Sequence, residues 1–206
     1  MQIDDRKGIT VQQAQESDYA AMAGVIARAF EDDPVTEWLL PDPATRVAKL
    51  TTLYEALTPR LARLDFFDMY TTSEQSGVAM WAGPEKWEPP TRVMLTATPR
   101  LLRAIGFGGA SKMTRLMGLM KKHHPKEPHW YLAGLATDPP KQRTGVGTAL
   151  VAPKLEVCDK EHLGAYLETQ KAINVPYYER FGFRVTNEID LPKGGPHLWL
   201  MWRDPQ

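Results

Sequence analysis

One stretch of the sequence has the residue types of an anion-binding turn. It runs Leu135-Ala136-Thr137-Asp138-Pro139-Pro140-Lys141-Gln142-Arg143-Thr144-Gly145-Val146-Gly147-Thr148-Ala149-Leu150. A mostly apolar, strand-like run leads into two glycines, and a helical pattern follows them. Glycines at this spacing let the backbone turn tightly and approach a ligand. The helix that begins there offers unpaired N–H groups and the positive end of its dipole, which suits a diphosphate.

Three alternatives compete for this glycine turn. A P-loop requires a lysine followed by Ser or Thr after its last glycine, whereas Thr148-Ala149 follow Gly147 here. A dinucleotide fingerprint requires a third small residue, where this sequence has Leu150. Both motifs therefore fit poorly. A glycine turn that caps an ordinary helix remains an alternative for Gly145 and Gly147 taken alone.

Two motifs in the right order resemble a known enzyme superfamily. Gln142-Arg143-Thr144-Gly145-Val146-Gly147 follows the pattern Q/R-x-x-G-x-G/A, and Asn174 is followed by Tyr178-Glu179-Arg180-Phe181-Gly182-Phe183, which follows Y-x-x-x-G-F. Both patterns are typical of the GCN5-related N-acetyltransferase (GNAT) superfamily. Residues 124–128, 166–169, 176–180 and 198–202 resemble the puromycin N-acetyltransferase branch of it. This second likeness extends over nearly the whole chain.

The resemblance implies an α/β (α+β) fold with a mixed, mostly antiparallel central sheet. Helices flank that sheet, and it is split between two middle strands where acetyl-CoA lies. Backbone N–H groups from Arg143 to Thr148 would hold the diphosphate. Lys141 and Arg143 would neutralise its charge, and a solvated surface charge is the alternative for each. The predicted cofactor-binding residues are Leu135, Ala136, Thr137, Gln142, Arg143, Thr144, Gly145, Val146, Gly147, Thr148 and Asn174. An N–H group near Thr137 would also stabilise the thioester oxygen.

Direct acetylation of an amine requires a neutral amine, a polarised thioester and a proton for the departing thiolate. Tyr178 is the predicted general acid, because the ordinary pKa of a phenol, about 10, is close to that of an aliphatic thiol. The alternative for Tyr178 is packing beneath a short helix, the role that we assign to Tyr177. Glu168 is the predicted base, and its alternative is a solvated carboxylate at a strand end. Asn174 either contacts the coenzyme or caps the helix that follows.

Two further clusters have side chains suited to an amine acceptor. One is acidic and consists of Glu31, Asp32 and Asp33, for which a solvated helix end is the plainer alternative. The other is aromatic and consists of Trp38, Trp81 and Trp87, for which core packing is the alternative. The sequence does not decide between these interpretations.

The elements that must position these residues follow a mixed α/β order. Strands are predicted over residues 9–11, 69–72, 78–82, 130–137, 165–168, 183–190 and 198–202. Helices are predicted from Ser17 as N-cap to Phe30, from Pro43 onward, over 147–159 and over 176–181. Pro153 predicts a kink or a loosened first half in the third of these helices. Residues 90–128 are predicted to form an inserted helical segment interrupted by glycines.

Composition excludes several classes of protein. The 206 residues are 43% hydrophobic, enough for one domain over residues 1–206, and 25 basic side chains balance 25 acidic ones. Bulk charge therefore predicts neither a nucleic-acid nor a membrane partner. The single Cys158 cannot form an internal disulfide, the start lacks a secretory pattern, and no apolar run approaches roughly 18 residues. A soluble cytoplasmic protein without a metal is expected, and monomer and homodimer remain open.

These residues together predict an N-acetyltransferase that moves acetyl from acetyl-CoA to an amine of a small molecule. Puromycin or another aminated compound would serve as acceptor. One alternative is a non-catalytic module that binds or senses acyl-CoA. Another is acetylation of a protein N-terminus or lysine, which requires an open groove for a peptide.

Overall fold

The computed structural model describes residues 2–6 and 8–206, and these are organised around a sheet of eight strands. The strands are Gln2–Arg6 (β1), Ile9–Gln13 (β2), Phe67–Thr72 (β3), Gly77–Ala82 (β4), His129–Thr137 (β5), Gly164–Thr169 (β6), Arg184–Asp190 (β7) and His197–Arg203 (β8). Their order across the sheet is β1-β2-β3-β4-β5-β6-β8-β7. Neighbouring strands are antiparallel except β5 and β6, which are parallel. The predicted mixed, mostly antiparallel sheet is confirmed.

Helices cover both faces of this sheet. They are Tyr19–Ala29 (α1), Pro34–Leu39 (α2), Pro43–Leu61 (α3), Thr91–His123 (α4), Val146–Lys160 (α5) and Val175–Glu179 (α6). On one face α5 and α6 bury a core that includes Trp81 and Leu167. On the other face α1 and part of α4 bury a core that includes Ile26 and Tyr166. No helix within the described ranges is long and apolar enough to cross a membrane.

Acidic side chains fix the starts of α1 and α3. The sequence prediction is wrong for the start of α1. Asp42 caps α3, since its Oδ1 accepts a hydrogen bond from the Ala44 N–H at 3.1 Å. Ser17, however, is not an N-cap but lies inside the short 3₁₀ turn Glu16–Asp18. Asp18 Oδ2 accepts the Gln15 N–H at 2.9 Å, so the acidic residue rather than the serine fixes the entry to α1.

Pro153, where a kink or a loosened first half is predicted, lies inside a helix that continues on both sides of it. Helix α5 is continuous from Val146 to Lys160, and Leu150 and Leu155 on either side of the proline are buried in the same core. Packing on both sides of Pro153 therefore supports the helix despite the missing N–H. The inserted segment does form a helix, α4, and its break lies at Gly106, whose φ of 65° and ψ of 178° leave the helical region.

The two middle strands separate soon after they meet. The last ladder pair between β5 and β6 joins Tyr131 to Tyr166, and beyond it each strand keeps only its outer neighbour. Strand β5 carries an extra residue, Ala133, between Leu132 and Gly134, which pair with consecutive residues of β4. Such a bulge bends a strand, here at the point of separation. The predicted split in the sheet is confirmed.

Gly77 brings the start of α5 close to the sheet beside this split. A Cβ at Gly77 would lie 2.4 Å from Val146 Cγ1 and 2.8 Å from Leu150 Cδ1. We expect Gly77→Ala to lower the free energy of unfolding by about 1–3 kcal/mol, because α5 must move to admit the methyl group. Urea denaturation measures the change. Gly108→Ala in α4 is the control, since its Cβ would meet nothing within 4 Å; an equal loss in both variants would contradict the close packing at Gly77.

Candidate active site

The glycine turn lies between the end of β5 and the start of α5. Gly145 is the N-cap residue of α5 and has a left-handed φ of 100°, and Arg143 is also left-handed, with φ of 63°. The first N–H to find a helical acceptor is that of Ala149, which donates to the Gly145 carbonyl at 2.9 Å. The N–H groups of residues 143–148 donate to no acceptor in the described part of the chain. They form a row of unpaired donors at the positive end of a helix.

The side chains of the turn are held by a few polar contacts. Gln142 Nε2 donates to the Thr137 carbonyl at 3.4 Å, which joins the turn to the end of β5. Lys141 pairs with Glu74 at 3.1 Å, with both side chains at least half exposed. Arg143 forms no ion pair with any described residue. Of the two basic residues that the sequence places beside an anion, Arg143 is therefore the one whose charge is not already paired.

The end of β5 presents main-chain groups to the split. Leu135, Ala136 and Thr137 pair with β4 on one side. On the other side the ladder with β6 has already ended, so no strand pairs with these residues there. In an antiparallel ladder alternate residues turn their N–H and C=O groups to each side. The split side of this segment can therefore receive the amides of an extended ligand.

Tyr178 lies on the face of the sheet that α5 and α6 cover. Its side chain is 8% exposed and belongs to the same core cluster as Leu132 of β5 and Leu167 of β6. Burial raises the pKa of Tyr178 well above that of an ordinary phenol. The hydroxyl therefore stays protonated and acts as a donor at neutral pH. The sequence predicts that the pKa of Tyr178 is close to that of a free thiol, and burial removes this match. Burial would raise the pKa of a thiol bound next to Tyr178 in the same direction.

Glu168 lies on the opposite face of the sheet. It follows Tyr166 by two residues in β6, so both side chains point away from Leu167 and α5. Its Oε1 is buried without a hydrogen-bond partner. Burial raises the pKa of Glu168 to about 7, although the nearby phenols of Tyr131 and Tyr166 favour ionisation without reaching hydrogen-bond geometry. A carboxyl with this pKa exchanges protons near neutrality, and the alternative of a solvated carboxylate does not hold.

Two histidines extend this polar cluster in a defined tautomeric state. His129 Nδ1 donates to the Glu127 carbonyl at 2.6 Å, so His129 Nε2 is the acceptor for His124 Nε2–H at 3.1 Å. His124 Nδ1 then carries a lone pair, and it is buried without a partner. Burial and the neighbouring His129 lower the pKa of His124 to about 3, which keeps the ring neutral.

Sequence reasoning missed the groups around Glu168. The rings of Tyr131 and Tyr166 each lie 5.0 Å from the His124 ring, centroid to centroid. Strand alternation alone places Tyr166 and Glu168 on one face, so that part of the cluster had a detectable signal. The approach of His124 from the end of α4 had none, because it depends on how α4 packs.

The turn between α1 and α2 is tied to both sides of the split. Arg28 makes a bidentate ion pair with Asp138, just after β5, at 2.8 and 2.9 Å. Asp32 pairs at 2.5 Å with Lys171, just after β6. Asp33 caps α2 through the N–H groups of its first turn. Of the three acidic residues, Asp32 is the one that contacts an edge of the split, and both Asp32 and Asp33 already have structural partners.

The three tryptophans proposed for an acceptor pocket do not form one group. Trp81 is fully buried on the α5 face, away from Glu168. Trp87 stacks on His124 with ring centroids 4.0 Å apart. The Trp38 carbonyl accepts a hydrogen bond from Lys112 Nζ at 2.6 Å, which joins α2 to α4. Core packing therefore explains Trp81. Of the three tryptophans only Trp87 contacts the polar group near Glu168, through His124 and Tyr131.

Asn174 occupies the N-cap position of α6 without capping it. Its Nδ2 donates instead to Thr169 Oγ1 at 3.2 Å, which ties the start of α6 to the end of β6. Cys158 is fully buried in the core, and burial raises the pKa of its thiol to about 12, so it is not a nucleophile. Among the described residues no group of three or more His, Cys, Asp or Glu side chains could hold a metal ion.

Comparison with known proteins identifies the family. The sequence profile of the acetyltransferase (GNAT) family matches residues 60–183, a span that includes the glycine turn, Glu168 and Tyr178. This chain belongs to the GNAT family. It is an acyltransferase, and GNAT enzymes use acetyl-CoA as co-substrate.

Individual relatives agree with this assignment. The chain is 24% identical to an uncharacterized N-acetyltransferase of Schizosaccharomyces pombe over 96% of its own length and 84% of the relative. A crystal structure described as histone acetyltransferase HPA2 and related acetyltransferase, from Corynebacterium glutamicum, is 29% identical, with a TM-score of 0.71 over 96% of this chain and 97% of that one. Arylalkylamine N-acetyltransferase 2 of Aedes aegypti shares the fold at 13% identity, with a TM-score of 0.60 over 97% and 100% of the two chains.

The raised pKa of Glu168 predicts a stability difference that depends on pH. Since the folded pKa of about 7 lies above the ordinary value of 4.5, the ionised carboxyl destabilises the fold above pH 7 and does not below pH 4.5. We expect Glu168→Gln to be more stable than the parent by about 3 kcal/mol at pH 8, with the difference vanishing toward pH 4. Urea denaturation across this range measures it. Glu55→Gln removes the same charge from an exposed helix surface as a control, and a difference at Glu168 that does not vary with pH would refute the assignment.

Proposed function

We propose that this GNAT acetyltransferase transfers acetyl from acetyl-CoA to the amine of a small molecule by direct attack. The observation that carries the proposal is the placement of a carboxyl and a phenol on opposite faces of the sheet beside one gap in it. Glu168 lies on the face covered by α1 and α4, and Tyr178 on the face covered by α5 and α6. An acceptor and a coenzyme that enter from opposite faces would meet between them.

The residues present fit the coenzyme on two counts. The unpaired N–H groups of residues 143–148 suit its diphosphate, and Gly147 leaves room there that a Cβ would fill. The unpaired edge of Leu135, Ala136 and Thr137 suits the amides of pantetheine, with Asn174 on the far side of the split. When bound, acetyl-CoA supplies the acetyl group as a thioester.

The proton transfers follow from the two environments. Glu168 takes a proton from the acceptor ammonium, which leaves a neutral amine to form the new C–N bond. A main-chain N–H at the split edge of β5 stabilises the negative charge on the carbonyl oxygen. As the C–S bond breaks, Tyr178 gives its phenolic proton to the sulfur and later regains one from solvent. After the attack the nitrogen gives up a second proton to solvent. The products are an amide and a free thiol, and of the two protons that the ammonium nitrogen loses, one is balanced by the proton on the thiol and one is released to solvent.

The acceptor side supports a small molecule over a protein. Ion pairs from Arg28 and Asp32 hold the α1–α2 turn across the split, and Lys112 joins α4 to α2 at 2.6 Å. We expect these contacts to restrict the acceptor side to small compounds. Resemblance to the puromycin branch makes puromycin the first compound to test.

A protein acceptor is the second candidate, favoured by the description of the C. glutamicum relative as a histone acetyltransferase. Thiol release from acetyl-CoA separates the possibilities when puromycin, arylalkylamines and aliphatic diamines are compared with a lysine-containing histone-tail peptide. Turnover with a small amine supports the proposal, turnover with the peptide alone supports the second candidate, and coenzyme binding without any turnover indicates a non-catalytic module.

Tyr178→Phe tests the general acid. With an acceptor from this panel, we expect kcat to fall by about 100-fold or more, because the thiolate loses its proton donor. The dissociation constant of acetyl-CoA should stay within about twofold, since the phenol acts on the transition state. Tyr54→Phe is the matched control, because its hydroxyl belongs to a tyrosine of α3 whose pKa burial also raises. An unchanged kcat would remove Tyr178 as the acid.

Gly147→Val tests the coenzyme site without any acceptor. A Cβ at Gly147 would lie 2.7 Å from Tyr177 Oη and would fill the space above the donor row. We expect calorimetry to show CoA binding weakened by about tenfold or more. Gly118→Val in α4, where a Cβ meets nothing within 4 Å, is the control. Equal CoA affinity in the parent and the Gly147 variant would refute this position for the diphosphate.

A further inference from the structure

The hydroxyl of Tyr177 lies at the glycine turn and has no partner. It is buried, and no described atom accepts from it or donates to it in hydrogen-bond geometry. A Cβ added to Gly147 would lie 2.7 Å from this oxygen and 3.7 Å from Thr137 Oγ1. The phenol therefore reaches the point where the end of β5 and the start of α5 come together.

Packing accounts for the ring of Tyr177 but not for its hydroxyl. The ring contacts Tyr178 and Phe181, with centroids 5.1 and 5.2 Å away. A phenylalanine would make the same contacts, and it would avoid the cost of a buried hydroxyl without a hydrogen bond. The sequence assigns Tyr177 to packing alone, which leaves the oxygen at Gly147 unexplained.

The surroundings of this hydroxyl are rich in donors. Burial raises the pKa of Tyr177 to about 12, so the phenol is protonated and can donate. The Thr148 side chain and the charge of Arg180 lower this pKa, and burial outweighs them. The Arg180 guanidinium lies 5.1 Å from the ring centroid and pairs with no described carboxylate. The unpaired N–H groups of residues 143–148 are also donors. A ligand that satisfies this set must offer several acceptor oxygens and negative charge.

We infer that Tyr177 is a coenzyme-binding residue that donates its phenolic O–H to the diphosphate of CoA at Gly147. This inference rests on the proposed function. Tyr177 adds a side-chain donor from α6 to the backbone donors of α5, so that the diphosphate is held from two elements. Arg180 keeps a positive charge beside the same ring.

Calorimetry on Tyr177→Phe tests the inference without an acceptor. We expect CoA and dephospho-CoA, which both carry the diphosphate, to bind about tenfold more weakly than to the parent protein, the usual effect of losing a hydrogen bond to a charged group. Pantetheine, which lacks the diphosphate, should bind the variant and the parent equally. Tyr54→Phe should bind all three compounds as the parent does.

Thermal unfolding of the ligand-free variant separates binding from structure. Removal of an unpaired buried hydroxyl should leave the Tm of Tyr177→Phe equal to or above that of the parent. A lower Tm with unchanged CoA affinity would show that the hydroxyl is structural and would overturn the inference. An equal loss of affinity for pantetheine would overturn the diphosphate assignment.

CoA binding to the parent protein separates the inference about Tyr177 from the proposed function. If the parent binds CoA and Tyr177→Phe binds it equally well, the inference about Tyr177 fails and the proposed function stands. If the parent binds neither CoA nor dephospho-CoA, both fail together.

Discussion

The end of parallel pairing at Tyr131 and Tyr166 is the constraint on which the proposed active site depends. A sheet interior normally satisfies its main-chain groups through neighbouring strands, and β5 and β6 stop doing so in the middle of this sheet. The bulge at Ala133 bends β5, while β6 keeps its antiparallel ladder with β8 through Thr169. The result is a gap with an unpaired edge, which two separate cores approach from opposite faces.

Unpaired buried polar atoms concentrate around this gap. Within the described residues, six buried side-chain oxygen or nitrogen atoms have no partner, and four of them belong to His124, Tyr166, Glu168 and Tyr177. Each such atom costs stability, so a stable core would avoid them. This distribution supports the proposed site, where ligand atoms would complete the hydrogen bonds. The electrostatics agree, because Glu168 exchanges a proton near neutrality on one face while Tyr177 and Tyr178 remain protonated donors on the other.

Local sequence patterns predicted the elements well where the determinant was itself local. Strands β3 and β4, the start of α3 at Pro43 and the glycine turn at Gly145 each depend on residues close in sequence. Local patterns were less reliable where packing outweighs local preference. Pro153 does not interrupt α5 because buried residues on both sides hold the helix together, and Asp18 rather than Ser17 fixes the start of α1.

By itself the sequence determined the glycine turn and most of the strands and helices, although not β1 or α2. Two motifs indicated the family and the position of Tyr178, and the end of the strand after the glycine-turn helix indicated Glu168. These features follow from the spacing of residue types along the chain, because that spacing determines local backbone geometry. Only the tertiary structure decided that the half-buried Glu168 lies beside Tyr131 and Tyr166, that Trp81 is core, and that the Tyr177 hydroxyl reaches Gly147. Burial and the identity of hydrogen-bond partners depend on how distant segments such as α4 and α6 pack against the sheet. A local sequence pattern does not determine which side chains that packing shields from solvent.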